Sequence, residues 1–116
     1  MPHILRAADR DPNASRTITF EGDRFGANIS FFAVDSGPGA HVGLHVHPYT
    51  EIWIVKSGSV RFTAAGESHE AGPNDIFIVE PETPHGFTNI GDDRLEMVCI
   101  HDSGTIIQTF LGEGDA

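Results

Sequence analysis

The segment 39–58 carries three side chains whose types and spacing are suited to binding a metal ion. His45, His47 and Glu51 all occupy odd-numbered positions, so a fully extended chain would point them to one face. Imidazole nitrogens together with a carboxylate are typical ligands of divalent transition metals. Pro48 interrupts the alternation before Glu51, so the phase of this carboxylate depends on how the chain bends there.

A helix is excluded over this segment because glycine and proline recur at Gly37, Pro38, Gly39, Gly43 and Pro48. This excludes the helical zinc-protease arrangement, which needs two histidines four residues apart on a helix. The candidate ligands are therefore expected on β-strands and their turns.

A fourth candidate ligand, His85, lies in a second segment, 74–89, after a proline-rich turn. It begins an alternating run with Phe87 and Asn89, and pairing of this strand beside the first would bring His85 to the other three ligands. A His-x-His pair by itself is more often a surface or core feature than a metal site. The combination with Glu51 and His85 is what favours metal binding.

The elements that must position these residues are short β-rich runs separated by turn residues. Thirteen glycines and seven prolines interrupt the chain, and no segment has a convincing helical period. We therefore predict an all-β sandwich or barrel forming a single domain over residues 1–116, with residues 1–16 as an N-terminal arm. The predicted strands cover 17–20, 29–35, 51–56, 59–63, 75–80, 94–101 and 105–111.

Charge and composition narrow the class of partner. Seven basic against seventeen acidic residues give a formal net charge of −10, which disfavours nucleic acid and anionic membranes. The chain has no apolar run long enough to cross a membrane and no apolar stretch near its start that is typical of a secretory signal. A single cysteine, Cys99, cannot form an internal disulfide, so we expect a reducing, cytoplasmic location.

The two segments resemble the two motifs of the cupin superfamily. Segment 39–58 matches the first motif, G-x5-H-x-H-x3-E-x6-G, at all fixed positions: Gly39, His45, His47, Glu51 and Gly58. Segment 74–89 resembles the second motif, G-x5-P-x-G-x2-H-x3-N. It keeps His85 and Asn89 and departs from the motif at Asn74, Glu80 and Glu82. Asn74 suits the first of these positions, since asparagine tolerates positive φ better than most residues.

The resemblance implies a cupin-type antiparallel jelly-roll β-barrel of six to eight strands with one divalent transition metal inside its mouth. The implied ligands are His45, His47, Glu51 and His85, and the ion would be manganese, iron, nickel, copper or zinc. A six-coordinate ion would keep two adjacent positions for a small oxygen-donor ligand, or for substrate and O₂.

Side chains in phase with these ligands are expected to line a largely apolar pocket for a small-molecule ligand. Trp53 follows Glu51 in phase, Phe87 follows His85, and one face of the run 94–101 carries Leu95, Met97, Cys99 and His101. We take Tyr49, Trp53, Phe87 and Met97 as candidate substrate-binding residues. Ordinary core packing is the alternative for each of them, and Cys99 is expected to be a buried, inert thiol.

Two further histidines are candidate catalytic acids or bases. His41 lies just outside the first motif and His101 ends the run 94–101. A position near the metal would let either move protons. The alternatives are a surface-loop histidine at 41 and a hydrogen-bonded core histidine at 101, while His3 and His69 are expected to be exposed.

Three functions remain open. The first is a metal-dependent oxygenase, since quercetin dioxygenases, acireductone dioxygenases and oxalate oxidases are similar in using three histidines and one glutamate. The second is a metal-assisted isomerase, lyase or hydrolase acting on a small carbonyl or sugar-acid substrate. The third is a non-catalytic module that binds a small ligand. Phosphorylated substrates are disfavoured, because only Lys56 and Arg61 lie between the two motifs.

A homodimer is also expected. The runs 29–35 and 105–111 carry more apolar surface than one inner face of a small barrel requires. Small cupins resemble one another in pairing through such strands or through an exchanged N-terminal arm.

Overall fold

The structure is a computed structural model that describes residues 2–112, which form ten β-strands and two short 3₁₀ turns. The turns are Ala7–Asp9 and Gly22–Phe25. The strands are β1 Ile18–Glu21, β2 Ser30–Ser36, β3 His41–Val46, β4 Glu51–Ser57, β5 Val60–Ala64, β6 Glu67–Ala71, β7 Ile76–Val79, β8 His85–Asn89, β9 Leu95–His101 and β10 Thr109–Phe110.

The strands form two five-stranded antiparallel sheets. The first has the order β1-β2-β9-β4-β7 and the second the order β10-β3-β8-β5-β6. The predicted all-β, antiparallel jelly-roll fold is therefore confirmed. The strand number exceeds the expected six to eight, and the second sheet has β10, of two residues, and β6, of five, as its edge strands.

The core lies between the sheets and follows the predicted alternation. On β4 the residues Glu51, Trp53 and Val55 are buried. On β9 the whole predicted inner face is buried, with Leu95, Met97, Cys99 and His101 at most 2% exposed. Trp53 is central to this core: its ring packs edge-on against Phe62 at 4.5 Å and Phe87 at 5.3 Å between ring centroids.

Two stretches differ from the sequence prediction. Strand β6 was not predicted, because its sequence Glu-Ser-His-Glu-Ala is polar and only Ala71 is buried. The run 105–111 forms a strand only at Thr109–Phe110. The backbone before it bonds to side chains instead, since the N–H of Ile106 donates to the Glu21 carboxylate at 2.8 Å and that of Ile107 to the Tyr49 hydroxyl at 3.0 Å.

Turn residues fix the strands that hold the candidate site. Asn74 has a φ of 74° and Glu82 a φ of 62°, so both adopt the left-handed conformation at positions where the second motif has glycine. The N–H of Glu82 donates to the His47 carbonyl at 2.8 Å, which ties the turn before His85 to the first motif. Gly58 has a φ of 92°, and a Cβ atom there would lie 2.6 Å from the Arg94 carbonyl oxygen.

Residues 2–16 are exposed along their whole length. His3 contacts Phe25 at a centroid distance of 5.0 Å, which places the start of the chain near the second 3₁₀ turn. Over residues 2–112 no helix is long and apolar enough to cross a membrane.

Candidate metal centre

Three strands from both sheets, β3, β4 and β8, bring the candidate ligands together, and His47 directly follows β3. His45 lies on β3 and pairs directly with His85, the first residue of β8. Glu51, the first residue of β4, pairs with His101, the last residue of β9 in the other sheet. The expectation that the first three ligands share one face of a single extended chain is therefore wrong. Between Val46 and Glu51 the chain crosses from one sheet to the other, and the ligands meet because both sheets direct them inward.

The four predicted ligands form one compact, buried group. The ligand atoms of His45, His47, Glu51 and His85 all lie within 4.8 Å of one another. No member of the group is more than 5% exposed. Polar groups buried this deeply need a partner of opposite character.

Backbone carbonyls orient all three imidazoles. Nδ1–H donates to the Gly43 carbonyl from His45 at 2.8 Å, to the Ile107 carbonyl from His47 at 2.9 Å, and to the Thr83 carbonyl from His85 at 2.8 Å. A proton held on Nδ1 leaves the Nε2 lone pair of each ring for a metal ion. No sequence pattern indicates these three carbonyls, because a backbone oxygen is present at every residue.

The donor set fits a divalent cation. Oε1 of Glu51 lies 3.1 Å from Nε2 of His47 and 2.9 Å from Nε2 of His85. With the ring protons on Nδ1, these three atoms are all electron-pair donors at short range. Nε2 of His47 is in addition buried without a hydrogen-bond partner. A cation between the donors would satisfy all of them at once.

The pKa shifts of Glu51 and His47 also indicate that the site favours a positive charge. Burial raises the pKa of Glu51, but contacts with His101, His47 and His85 outweigh it and the net pKa lies well below its ordinary value. Burial likewise opposes protonation of His47, yet Glu51 and the Ile107 carbonyl leave its pKa raised. The carboxylate is therefore ionised at neutral pH and attracts a proton or a metal ion to its neighbours.

His101 is a fourth imidazole in the same cluster, beside the Glu51 carboxylate. Its Nε2 lies 3.1 Å from Oε2 of Glu51, and its Nδ1 lies 2.5 Å from the Tyr49 hydroxyl. Both side chains are buried. The structure thus places the predicted His101 beside the four candidate ligands. The Tyr49 side chain contacts His101 and does not line the expected substrate pocket.

A cavity of about 260 Å³ opens onto the cluster. His45, Glu51 and His101 form its polar end, and the lining of the rest is mostly apolar. No lysine or arginine of the described chain lines it. Its other lining residues are Thr17, Phe32, Val34, Ser36, Ala40, His41, Val42, Trp53, Phe87, Cys99, Gln108 and Phe110.

The candidate pocket residues divide into two groups. Trp53 and Phe87 line the cavity, and His41 lines it from an exposed position. Met97 and Tyr49 do not line it, because Met97 packs in the core and Tyr49 contacts His101. Three buried polar atoms on the lining residues have no hydrogen-bond partner: Nε2 of His101, Oγ of Ser36 and Nε1 of Trp53. Ser36 was not a sequence candidate, because it follows the predicted strand 29–35, whereas in the structure it is the last residue of β2.

Comparisons with solved structures support the fold. An oxalate oxidase in complex with glycolate superposes with a TM-score of 0.73 at 23% identity, over 87% of this chain and 57% of that one. A Klebsiella pneumoniae protein with a double-stranded β-helix domain gives 0.73 at 22% identity, over 97% of this chain and 99% of that one. A mutant of Bacillus subtilis oxalate decarboxylase gives 0.78 at 23% identity, over 92% of this chain and 31% of that one.

A curated relative and a family model address the sequence itself. Mannose-1-phosphate guanylyltransferase of Salmonella typhimurium is 31% identical over 91 residues, which are 78% of this chain and only 18% of that enzyme. The family model described as the cupin domain matches residues 32–101, a span that includes all four candidate ligands. The chain therefore belongs to the cupin domain family.

Proposed function

We propose that this cupin is a small metalloenzyme of the oxygenase type, acting on a small, largely apolar molecule at a divalent transition metal. The observation that carries the proposal is the convergence of His45, His47, Glu51 and His85 at the polar end of an apolar cavity. A divalent ion held there would supply Lewis acidity and, for a redox-active metal, electron exchange with O₂.

The charge of the site favours a neutral or singly charged substrate. Three neutral imidazoles and one carboxylate contribute −1, so a divalent ion leaves the site at +1. A monoanionic oxygen donor would make it neutral, whereas a dianion such as oxalate would leave a buried excess of negative charge. The cavity lining offers no lysine or arginine to balance it. We therefore expect a different substrate from that of the oxalate-processing neighbours.

The walls indicate the shape of the substrate. Phe32, Trp53, Phe87 and Phe110 surround the cavity, and its volume of about 260 Å³ suits a small aromatic or diketone-like compound. The unpartnered N–H of Trp53 and hydroxyl of Ser36 would be satisfied by an acceptor on the substrate.

Metal binding is tested first, by titrating the metal-free protein with manganese, iron, nickel, copper or zinc and measuring stoichiometry by calorimetry and elemental analysis. We expect one ion per chain for at least one of these metals. His47→Ala should abolish this binding, and His69→Ala, an exposed histidine outside the cluster, should keep it.

The reaction is tested by O₂ uptake of the metal-loaded protein with flavonol, diketone, catechol and oxalate panels. We expect uptake with an apolar oxygen donor and none with oxalate. Uptake that never exceeds that of His47→Ala, for any metal, would contradict the oxygenase proposal.

A metal-assisted isomerase or lyase is the second candidate, favoured by His101 beside Glu51 and His41 at the cavity. Both could move protons to or from a polarised carbonyl substrate. Anaerobic turnover of a uronate or keto acid would support this class over the first. Ligands that raise the melting temperature and are recovered unchanged would instead support a binding module.

A further inference from the structure

We propose that His101 and Tyr49 are positioning residues: Tyr49 holds the His101 ring so that its Nε2 lies beside Oε2 of Glu51, which leaves Oε1 as the oxygen that Glu51 offers to the metal. This inference rests on the proposed metal site and concerns how that site is held. Its observations are the hydrogen bonds around the two side chains, which lie outside the set of four candidate ligands.

The Tyr49 hydroxyl determines where the ring proton of His101 lies. The N–H of Ile107 donates to this hydroxyl oxygen at 3.0 Å. The oxygen could accept a second bond, but the Glu51 carboxylate beside Nε2 of His101 favours the ring proton on Nε2, so the phenol hydrogen is directed to Nδ1 of His101, at 2.5 Å. Nδ1 of His101 therefore accepts, and a neutral ring must carry its proton on Nε2.

This tautomer is opposite to that of the three candidate ligands. His45, His47 and His85 each donate Nδ1–H to a backbone carbonyl, which leaves Nε2 as a lone pair. His101 meets a hydroxyl at the same ring position and so presents Nε2–H instead. His101 thus presents an N–H at Nε2, whereas the three ligand imidazoles present a lone pair there, although all four rings are buried in one cluster.

The two oxygens of Glu51 face different partners. Oε1 lies 2.9 Å from Nε2 of His85 and 3.1 Å from Nε2 of His47. Oε2 lies 3.1 Å from Nε2 of His101. The last contact is electrostatic, since Nε2 of His101 makes no hydrogen bond. An N–H beside Oε2 disfavours a second metal bond from the same carboxylate and keeps a coordination position for substrate.

A single residue, Ile107, links both contacts. The Ile107 carbonyl accepts the Nδ1–H of His47, and the Ile107 N–H holds the Tyr49 hydroxyl. The segment between β9 and β10 thus determines which nitrogen carries the ring proton in both His47 and His101. This gives a physical reason for its departure from strand structure.

The tautomers are tested in the unmodified protein loaded with zinc, using ¹⁵N shifts of the histidine rings. We expect a protonated Nε2 on His101 and a protonated Nδ1 on His45, His47 and His85. A protonated Nδ1 on His101 would overturn the inference even if no variant folds.

The coordination mode is tested by infrared difference spectra of protein carrying ¹³C-labelled glutamate, with and without metal. Tyr49→Phe and His101→Phe should narrow the splitting between the two carboxylate stretches of Glu51, as two-oxygen binding does. We also expect metal affinity about 10-fold weaker in these variants. His101→Gln, whose amide N–H reaches a similar position, should restore the wild-type splitting, which a purely structural role would not require.

The possible failures are distinguishable. Metal-loaded Tyr49→Phe and His101→Phe with wild-type carboxylate bands would overturn the positioning role and leave the proposed function intact. Wild-type protein that binds none of the metals would contradict the proposed function and this inference with it.

Discussion

His45 is the ligand candidate whose protonation is governed mainly by burial. Desolvation lowers its pKa to about 4 from an ordinary value of 6.5, despite its bond to the Gly43 carbonyl. At neutral pH this ring is neutral before any metal arrives, so metal binding releases no proton from it. The folded state should therefore lose stability as the pH falls from about 6.5 towards 4, because the unfolded chain takes up this proton first.

We predict that the His45 ring of the metal-free protein titrates with a midpoint near 4, as followed by its Cε1–H resonance. The same residue in urea-unfolded protein provides the control and should titrate near 6.5. A folded-state midpoint at or above the unfolded one would contradict the prediction.

Cys99 lines the cavity but is not expected to react. It is only 2% exposed, and burial raises its pKa well above the ordinary thiol value, with a smaller contribution from the charge of Glu51. Because the thiolate is the reactive form, native protein at pH 7 should be alkylated at least 10-fold more slowly than unfolded protein. Mass spectrometry of iodoacetamide-treated samples measures both rates, and equal rates would show that the thiol is accessible and activated.

At the scale of elements, Gly86 allows β8 to approach β3 closely where the ladder between them is irregular. A Cβ atom at position 86 would lie 2.5 Å from the Val42 carbonyl oxygen and 3.1 Å from the Gly43 carbonyl. The register shifts here between Val42 and His45, and the Gly43 carbonyl also orients the His45 ring. A side chain at Gly86 would therefore push on the backbone that positions a ligand.

We predict that Gly86→Ala destabilises the protein by about 1–3 kcal/mol and weakens metal binding, as measured by urea unfolding and calorimetry. Gly43→Ala is a matched control in the same irregularity, since a Cβ atom there has nothing within 4 Å. Equal effects of the two substitutions would show that overcrowding at Gly86 is not the cause.

Asp35 joins three chain segments beside the cavity. Its carboxylate accepts a hydrogen bond from Arg94, just before β9, and one from Arg16, before β1, at 3.2 Å. The bond from Arg94 is the main cause that holds the pKa of Asp35 below 3.8. Because folding lowers this pKa, the ionised carboxylate stabilises the fold at pH values above the pKa of Asp35 in the unfolded chain. This contribution is lost as the pH falls through the pKa of Asp35 in the folded protein.

We predict that Asp35→Asn costs about 0.5–1 kcal/mol at pH 7, because the pair is partly exposed. The difference from wild type should shrink as the pH falls below 3.8, as followed by urea unfolding at pH 7 and pH 3. Asp92→Asn, an exposed acid in the turn before β9, serves as the control. A difference that persists unchanged at the low pH would argue for a packing effect instead of charge.

Sequence analysis could predict the elements whose alternation carries apolar residues. The runs around Trp53 and Met97 alternate between buried and exposed positions, so their strands and inner faces were found. Strand β6 lacks this signal because four of its five residues are exposed polar side chains. The segment around Ile107 looked like a strand, but its backbone bonds to Tyr49 and His47, which lie 58 and 60 residues away.

The ligands of the candidate site could be predicted from the sequence, but the contacts that orient them could not. His45, His47, Glu51 and His85 stand at motif positions, and the structure brings them together. The way in which the ligands converge differs from the expectation, since they come from two sheets and not from one face of one strand. The tautomer-setting contacts could not be predicted, because carbonyls have no residue signature and the pairing of Tyr49 with His101 spans 52 positions.

At the scale of the whole molecule, the outer face of the first sheet carries an uncovered isoleucine patch, formed by Ile52, Ile54, Ile76 and Ile78. Ile52 pairs with Ile78 and Ile54 with Ile76 across β4 and β7. Ile78 is 68% exposed and Ile76 is 60% exposed. On the other side, Ile100 and Val98 continue the apolar surface onto β9. Isoleucines clustered on neighbouring strands are typical of an interface, unlike single exposed apolar residues.

We propose a second copy of the chain as the partner of this patch. The chain carries a net charge of −10, so two copies repel over most of their surface, whereas the isoleucine patch and its β9 neighbours bear no charge. A two-fold axis through the patch would set the same residues against each other. It would also cover β7, which pairs only with β4 among residues 2–112 and is an edge strand that favours association.

We predict that light scattering at micromolar concentration gives twice the chain mass of 12.5 kDa. Ile78→Lys should give the monomer, since it buries a charge in the apolar interface, while Ser68→Lys on exposed β6 should leave the dimer unchanged. A wild-type monomer would contradict the prediction. Because Ile78 faces outward and the four ligands face the interior, the monomeric variant should still bind one metal ion, and loss of that binding would mean that the dimer also supports the site.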